Sequence, residues 1–346
     1  MTRTEATVTA RIVNGFVTLK DHGDPELLEA GRDGLSDEDL KRLGEGGAAR
    51  PYATGGNPAG VVLDADGLSD AQMLEIAQKV GLSETAFVSL SETEGFKLDF
   101  FTPTRRIAHC GHATIAAFSY LAELGRVSEG EASKETVDGP RKIIIRDGAA
   151  YMEQLAPRYE DPSEWADRGV QEQDVLNALG LTLVDLDPRF SPKLANTGNS
   201  FVLVAVKDGA ALKAVKPDFA QLEAISEALD LIGFYVFTTD PGATSADATA
   251  RMFAPRYGIS EESATGMAAG PLACALYDHL GARKPRLLIE QGHFMEPASP
   301  SEITVELDLS AGRITGLMAG GHGAVMKEMQ ISLDRSWAST AGGGND

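Results

Sequence analysis

The chain has 346 residues, 43% of them hydrophobic, and its 51 acidic and 31 basic residues give a formal net charge of −20. This length and hydrophobic content predict two domains with ordinary cores and exclude a chain that is disordered as a whole. The acidic balance argues against nucleic acids and anionic membranes as partners, because phosphate binding needs clustered Lys and Arg. With no signal-peptide pattern and no run of about 18 apolar residues, a cytoplasmic protein is expected.

The first half of the chain predicts strands around a buried helix. Residues 7–18 alternate like a strand, and the acidic, Gly-rich stretch at about 20–50 is interpreted as a surface insertion, an inert loop rather than a lid, with a short helix starting at Ser36. Further strands are predicted in GGNPAGVVLDA, ETAFVSL and KLDFFTP, and an amphipathic helix in SDAQMLEIAQKVG. The helix CGHATIAAFSYLAELG is apolar on all sides, so it is expected to thread a core.

The same order of elements recurs about 150 residues later. This predicts an α+β fold of two pseudo-symmetric lobes, each a curled, barrel-like mixed or antiparallel sheet around a central apolar helix, with a cleft between them. The lobes are expected at 1–158 and 159–337, with the final strand packing back on the first lobe, and 338–346 as a disordered tail. The matching segments are 54–63 with 196–206, 71–88 with 220–237, and 101–125 with 253–281, at offsets of 142, 149 and 155.

Both central helices are predicted to begin at a glycine. The first turn of a helix leaves backbone N–H groups without partners, and these groups attract anions. If the halves are related by an approximate twofold axis, the starts at Gly111-His112 and Gly266-Met267 converge on one ligand. The sequence therefore predicts that a small carboxylate-bearing molecule binds between the two helix starts.

Five motifs in order, GGNPAGVVLDADGLSDAQM, GLSETAF, FFTPTRRIAHCGHATIAA, ESATGMAAGPLACALYDHLG and QGHFMEPASPSEITVEL, resemble the PhzF-like (phenazine biosynthesis-like) isomerases. The resemblance implies the diaminopimelate-epimerase-like fold shared with proline racemases. It also implies a homodimer without a metal, pyridoxal or nucleotide cofactor. The acid/base glutamate of the family falls on Glu84, the histidine of its GHAT motif on His112, and the acidic residue before its TG motif on Glu262.

The chain departs from the family in the motif ESATGM. The family usually has Asp-Pro where this chain has Glu262 and Ser263, and often Ser or Asn where it has Met267. A longer acid and an apolar thioether predict a reshaped pocket. The dihydro-hydroxyanthranilate substrate of the phenazine pathway is therefore not carried over to this chain.

The expected chemistry is a proton shuttle by Glu84, whose repeat counterpart is Gly233, so that the carboxylate exists in one lobe only. His112 is expected to stabilise the charge that develops on the substrate, and Glu262 is expected to bind an amino or hydroxyl group of the substrate. His109 is given no role. The remaining predicted substrate-binding residues are Asn57, Ser83, Cys110, Gly111, Thr265, Gly266 and Met267.

Two alternatives remain open. Cys110 could serve a racemase or epimerase, because a helix N-terminus lowers the pKa of a thiol, but its repeat counterpart is Thr265 and Cys274 is expected to be a core residue. The second alternative is a catalytically inactive binding or scaffold protein of the same fold. No metal site is predicted from the Cys and His spacing, and GGHG at 320–323 predicts a turn or strand bulge rather than a phosphate loop.

Overall fold

A computed structural model of the chain describes residues 6–20, 52–137 and 139–333. The predicted insertion at about 20–50, with its helix at Ser36, and the predicted tail at 338–346 lie outside these residues, apart from residue 20 itself. Within the described ranges, no helix is long and apolar enough to span a membrane.

The described residues form 18 strands and seven α-helices. The strands are β1 (Ala6–Lys20), β2 (Tyr52–Thr54), β3 (Asn57–Val62), β4 (Thr85–Ser89), β5 (Phe96–Phe101), β6 (Arg106–Ile107), β7 (Gly130–Thr136), β8 (Gly139–Arg146), β9 (Ala149–Leu155), β10 (Arg158–Glu160), β11 (Lys193–Asn196), β12 (Ser200–Ala205), β13 (Gly233–Thr238), β14 (Ala248–Ala254), β15 (Ile259–Glu262), β16 (Arg286–Gln291), β17 (Ser301–Ser310) and β18 (Arg313–Leu333). The helices are α1 (Asp70–Val80), α2 (Gly111–Glu123), α3 (Pro162–Trp165), α4 (Glu172–Leu179), α5 (Gly209–Ala214), α6 (Phe219–Leu229) and α7 (Gly266–Asp278).

The first lobe is a closed ring of strands around α2. The strands pair in the order β1, β3, β4, β5, β7, β8, β9 and β18, and β18 pairs again with β1. Every residue of α2 from Gly111 to Leu121 is buried. An apolar helix needs such a surrounding sheet because all of its faces must be removed from water.

The second lobe repeats this arrangement around α7. Strands β11, β12, β13, β14, β16 and β17 pair in that order, and β17 pairs with β18, which also pairs with β9. The ring closes where the N–H of Leu155 donates to the carbonyl of Thr197 and β10 pairs with β11. The parallel pairs β3–β4 and β5–β7 correspond to β12–β13 and β14–β16. The predicted α+β fold of two pseudo-symmetric lobes is confirmed.

Strand β18 belongs to both rings. It pairs with β17 and β9 in its first half, and with β1 from His322 onward. The register shifts between Gly15 and Val17, opposite His322 and Gly323, so the GGHG segment lies at a strand bulge, as predicted. The bulge residue Phe16 has a φ of 62° and a buried side chain.

Gly320 lies where β18 passes β9, and a side chain there has no room. An added Cβ would lie 2.2 Å from the Ala150 carbonyl oxygen and 2.6 Å from the Tyr151 Cα atom, both backbone atoms that cannot rotate away. We expect Gly320→Ala to lower the free energy of unfolding by about 1–3 kcal/mol, measured by urea denaturation. The control is Gly67→Ala, where an added Cβ meets no atom within 4 Å. Equal stability of the two variants would contradict this packing.

Candidate active site

A cavity of about 160 Å³ lies where α2 and α7 begin, and both lobes line it. An added Cβ on Gly111 would lie 3.5 Å from the Cγ atom of Met267, so the two helix starts face each other closely. The first turns of both helices therefore border the same small space. This juxtaposition is the one that the repeat predicts.

Glu84 lies immediately before β4, and its carbonyl accepts from the N–H of Gly60 at 3.0 Å. Its carboxylate lines the cavity and is buried. The Oε2 atom lies 3.4 Å from Nε2 of His112, and neither atom has a hydrogen-bond partner among the described residues. Buried polar atoms without partners are costly, so a carboxylate held in this state indicates a ligand-binding or reactive group.

The register of the strand pairs shows which residue of the second lobe corresponds to Glu84. Gly60 pairs with Thr85 in the first lobe, and Val202 pairs with Phe234 in the second. These pairs are related by the offsets of 142 and 149 found in the sequence, so the residue equivalent to Glu84 is Gly233. An added Cβ on Gly233 would lie 2.3 Å from the carbonyl oxygen of Phe253, which excludes any longer side chain.

His112 lies in the first turn of α2 between two carboxylates. Its Nδ1 atom is 3.2 Å from Oε1 of Glu262 and 3.6 Å from Sγ of Cys110, and its Nε2 atom faces Glu84. Burial lowers the pKa of His112, but the combined effects of Cys110 and the Glu262 carboxylate outweigh burial and raise that pKa well above its ordinary value. The protonated imidazole is therefore favoured over the neutral one in this site.

Cys110 is the N-cap of α2 and lines the cavity, but the expectation that its pKa is lowered is wrong. Burial raises the pKa of this thiol, and the nearby Glu84 carboxylate raises it further, against an opposing effect of His112. The helix N-terminus does not compensate for the removal of the thiolate from water. Cys274 is fully buried in α7, as expected of a core residue.

Glu262, at the end of β15, is held by the residues around it. Its Oε1 accepts from Nδ2 of Asn57 at 3.0 Å, and its Oε2 accepts from the hydroxyl of Thr265. Asn57 also donates to the carbonyl of Ala264 at 3.0 Å. Asn57 lies behind Glu262 and is not among the residues that line the cavity.

Gln291, at the end of β16, is a supporting residue that the sequence interpretation missed. It is fully buried, donates to the Glu262 carbonyl at 2.6 Å and to the Thr265 hydroxyl at 3.1 Å, and accepts from the Thr265 N–H at 3.0 Å. The Tyr235 hydroxyl also donates to it at 2.8 Å. The only sequence signal was a Gln at the start of QGHFMEP, a motif already quoted.

The other predicted residues divide into two groups. Thr265, Gly266 and Met267 line the cavity with Gly111. Ser83 is exposed and is not among the lining residues, because the chain turns inward only at the following residue. The cavity-lining polar residues to which no role was assigned are Thr102, Arg105, His109, Asn199 and Tyr257. Asn199 donates to Sδ of Met267 at 3.3 Å.

Potential metal ligands in the described part of the chain form one group, Glu84, Cys110 and His112, whose ligand atoms lie within 4.8 Å of one another. A metal ligand must be deprotonated, whereas the raised pKa values of His112 and Cys110 favour the protonated form of each group. The group fits a proton-transfer site better than a metal site.

Comparison with known proteins identifies the family. The model of the family described as "Phenazine biosynthesis-like protein" matches residues 51–328. The chain belongs to this family. The expected isomerase assignment is confirmed by relatives that are named isomerases.

Two relatives of this phenazine biosynthesis-like protein illustrate the range of similarity. The uncharacterized isomerase YddE of Escherichia coli (strain K12) is 37% identical over 228 residues, which cover 65% of this chain and 75% of the relative. A trans-2,3-dihydro-3-hydroxyanthranilate isomerase of Pseudomonas aeruginosa is 30% identical over 285 residues, which cover 80% of this chain and 94% of the relative.

Solved structures share the fold of this family member. A PhzF-family phenazine biosynthesis protein of Bacillus anthracis superposes with a TM-score of 0.74 at 23% identity, covering 95% of this chain and all of that chain. A hydroxyproline epimerase of Agrobacterium vitis gives a TM-score of 0.54 at 14% identity, covering 97% of this chain and 95% of that chain. The two-lobed fold is therefore shared with both of these proteins.

The raised pKa of His112 predicts a dependence of stability on pH. Protonation of His112 contributes stability that is fully present below its ordinary pKa of 6.5 and is lost as the pH rises through the higher folded-state pKa. We expect the free energy of unfolding, measured by urea denaturation from pH 6 upward, to fall less steeply with pH in His112→Gln than in the wild type. The exposed His293, changed to Gln, is the control and should keep the wild-type slope. Parallel curves for His112→Gln and the wild type would contradict the raised pKa.

Proposed function

We propose that this protein is a cofactor-independent isomerase that moves a proton between two carbons of a small carboxylate-bearing substrate, with Glu84 as both base and acid. The observation that carries the proposal is the Glu84 carboxylate, which is buried, lines the cavity and keeps one oxygen without a hydrogen-bond partner. A carboxylate in this state is ready to accept a proton from a bound ligand.

The substrate carboxylate is held by the helix starts. The first-turn N–H groups at Gly111 and Gly266 supply donors and the positive ends of two helix dipoles. Apolar side chains cover the remaining wall, among them Ile107, Ile232 and Ile259. A small acid with an apolar body suits this combination.

The proposed reaction needs one proton and no change of oxidation state. Glu84 removes a proton from one carbon, and the electrons of that C–H bond form a new C=C bond. The electrons of the original C=C bond move to a second carbon, which takes the same proton back from Glu84. The His112 cation stabilises the negative charge that develops on the substrate, and Glu262 fixes the orientation of His112 through Nδ1.

Racemisation by Cys110 is the second candidate, because Sγ lines the cavity close to His112. A two-base racemase needs a second proton carrier on the opposite face, but the equivalent residue is Thr265, whose hydroxyl donates to Glu262. Burial also raises the pKa of the Cys110 thiol. An inactive binding or scaffold protein of the same fold would show no proton exchange with a bound ligand.

The substrate is proposed to differ from the dihydro-hydroxyanthranilate named for the Pseudomonas relative. Met267 places a thioether on the cavity wall at the start of α7, where its sulfur accepts from Asn199. An apolar group at this place favours a less polar substituent on the substrate. The homodimer and the cytoplasmic location implied by the sequence remain proposals.

Glu84→Gln tests the proton shuttle directly. Small carboxylic acids are incubated with the protein in deuterium oxide, and C–H to C–D exchange is followed by proton NMR. We expect Glu84→Gln to slow exchange by about 10²–10⁴-fold, because an amide cannot carry the proton. The control is Glu223→Gln, which changes an exposed carboxylate on α6 and should leave the rate unchanged. Exchange that survives in Glu84→Gln would overturn the mechanism.

Cys110→Ala separates isomerisation from racemisation. Because Glu84 alone carries the proton in the proposed transfer, we expect exchange to persist in this variant and to slow by no more than about tenfold, the effect of losing the Cys110 contact with His112. Chiral chromatography of the products, run beside the exchange assay, detects any inversion of a stereocentre. Loss of exchange together with loss of inversion would assign the proton transfer to Cys110 instead.

A further inference from the structure

His109 has no part in the proton transfer described above, yet it lies on the cavity wall. It comes directly before Cys110, and it also lines a second cavity, of about 510 Å³, together with Asn199, Met267 and Arg141. His109 therefore lies between two spaces that a ligand and its substituents can fill. The question is which hydrogen-bonding form of the imidazole faces a ligand.

A buried lysine contacts His109 from the core side. Lys134, on β7, is fully buried, and its Nζ atom lies 3.2 Å from Nδ1 of His109. The same Nζ donates to the hydroxyl of Thr114 at 2.5 Å and lies 4.9 Å from the centre of the Phe100 ring. Thr114 in turn donates its hydroxyl proton to the carbonyl of Cys110 at 2.6 Å, so its oxygen is free to accept from Lys134.

This arrangement determines the tautomer of His109. An ammonium group has donors and no acceptor, so Nδ1 of His109 must accept and cannot carry a proton. Burial lowers the pKa of His109 well below its ordinary value, and the charges of Lys134 and Arg141 lower it further. The imidazole is therefore neutral, and its single N–H is at Nε2, the ring nitrogen that Lys134 does not use.

We propose that His109 binds the substrate by donating its neutral Nε2–H to a substrate oxygen, and that Lys134 is the positioning residue that fixes this form. The inference rests on the proposed function for the identity of the cavity as the substrate site. It adds that the substrate carries an acceptor oxygen, such as a hydroxyl, a carbonyl or a carboxylate oxygen, within reach of His109. The cavity then contains two histidines with different roles. His112 favours its positively charged form, whereas His109 is a neutral hydrogen-bond donor.

The tautomer is tested by NMR of the full chain labelled with ¹⁵N-histidine, with the His109 signals assigned by their loss in His109→Gln. We expect a neutral ring protonated at Nε2 at pH 7, and a titration midpoint that rises in Lys134→Met, because the methionine has a similar shape and no charge. The control His279→Gln should leave the His109 signals unchanged. An Nδ1-protonated or cationic His109 in the wild type, or an unchanged midpoint in Lys134→Met, would overturn the inference.

Binding is tested by calorimetry with 3-hydroxyanthranilate and anthranilate, two small carboxylates that differ by one hydroxyl oxygen. His109→Phe keeps a planar ring and loses the donor. We expect it to raise the Kd of at least one of the two acids about tenfold. His109→Gln, whose side-chain amide supplies a donor, should bind within about threefold of the wild type. Equal affinity of His109→Phe and the wild type for both acids would contradict the contact.

The two proposals can fail separately. Binding of a carboxylate needs no proton transfer, so a loss of affinity in His109→Phe supports the contact whatever the exchange assay gives. Conversely, exchange that persists in Glu84→Gln overturns the proton shuttle and leaves the contact of His109 with the ligand intact. If neither acid binds to the wild type, that result counts against the contact for carboxylates of this class, whereas the proton shuttle is still tested by the exchange assay.

Discussion

The close approach of two helix starts is the constraint on which the rest of the site depends. Gly111 and Met267 face each other across the cavity, and an added Cβ on Gly266 would lie 2.9 Å from Cζ of Phe16. Phe16 itself has the left-handed φ of the bulge in β1, a conformation that costs of order 1–3 kcal/mol in a residue with a side chain. The shared strand β18 and its partner β1 hold that bulge in place, so the strand architecture fixes the distance between the helices.

The electrostatics of the cavity follow from the same geometry. Two carboxylates, Glu84 and Glu262, flank one cationic His112, so an anionic substrate finds no excess of positive side-chain charge there. Backbone N–H groups at the helix starts can bind an anion without adding a titratable group. The two carboxylates also differ in their hydrogen bonds. Asn57 and Thr265 both donate to Glu262, whereas Oε2 of Glu84 has no hydrogen-bond partner among the described residues. Glu84, whose Oε2 makes no hydrogen bond, is the carboxylate suited to moving a proton.

The sequence predicted the features that follow from hydrophobic periodicity and from the internal repeat. It did not predict contacts between residues that are distant in the chain and meet only when the barrel closes. The offsets of 142 and 149 relate the strand pairs correctly and leave Glu84 without an equivalent carboxylate. Gln291 and the contact of His109 with Lys134 were not foreseen, because each partner comes from a separate strand or helix start and joins the other only when the sheet closes. The pKa of Cys110 was predicted in the wrong direction because local sequence shows the helix N-terminus and not the depth of burial.

The differences between the lobes support the proposal that the proton leaves and returns on one face of the substrate. Cys110, Gly111 and His112 in the first lobe correspond at the offset of 155 to Thr265, Gly266 and Met267 in the second. The glycines are kept, so both helix starts can hold the substrate, whereas a thiol and an imidazole are matched by a hydroxyl and a thioether that do not exchange protons near neutral pH. With Glu84 also unmatched, the proposed proton carrier lies in the first lobe, and the second lobe supplies Glu262, which contacts Nδ1 of His112. A proton removed by such a site has to return on the side from which it left, which shifts a double bond and leaves stereocentres uninverted.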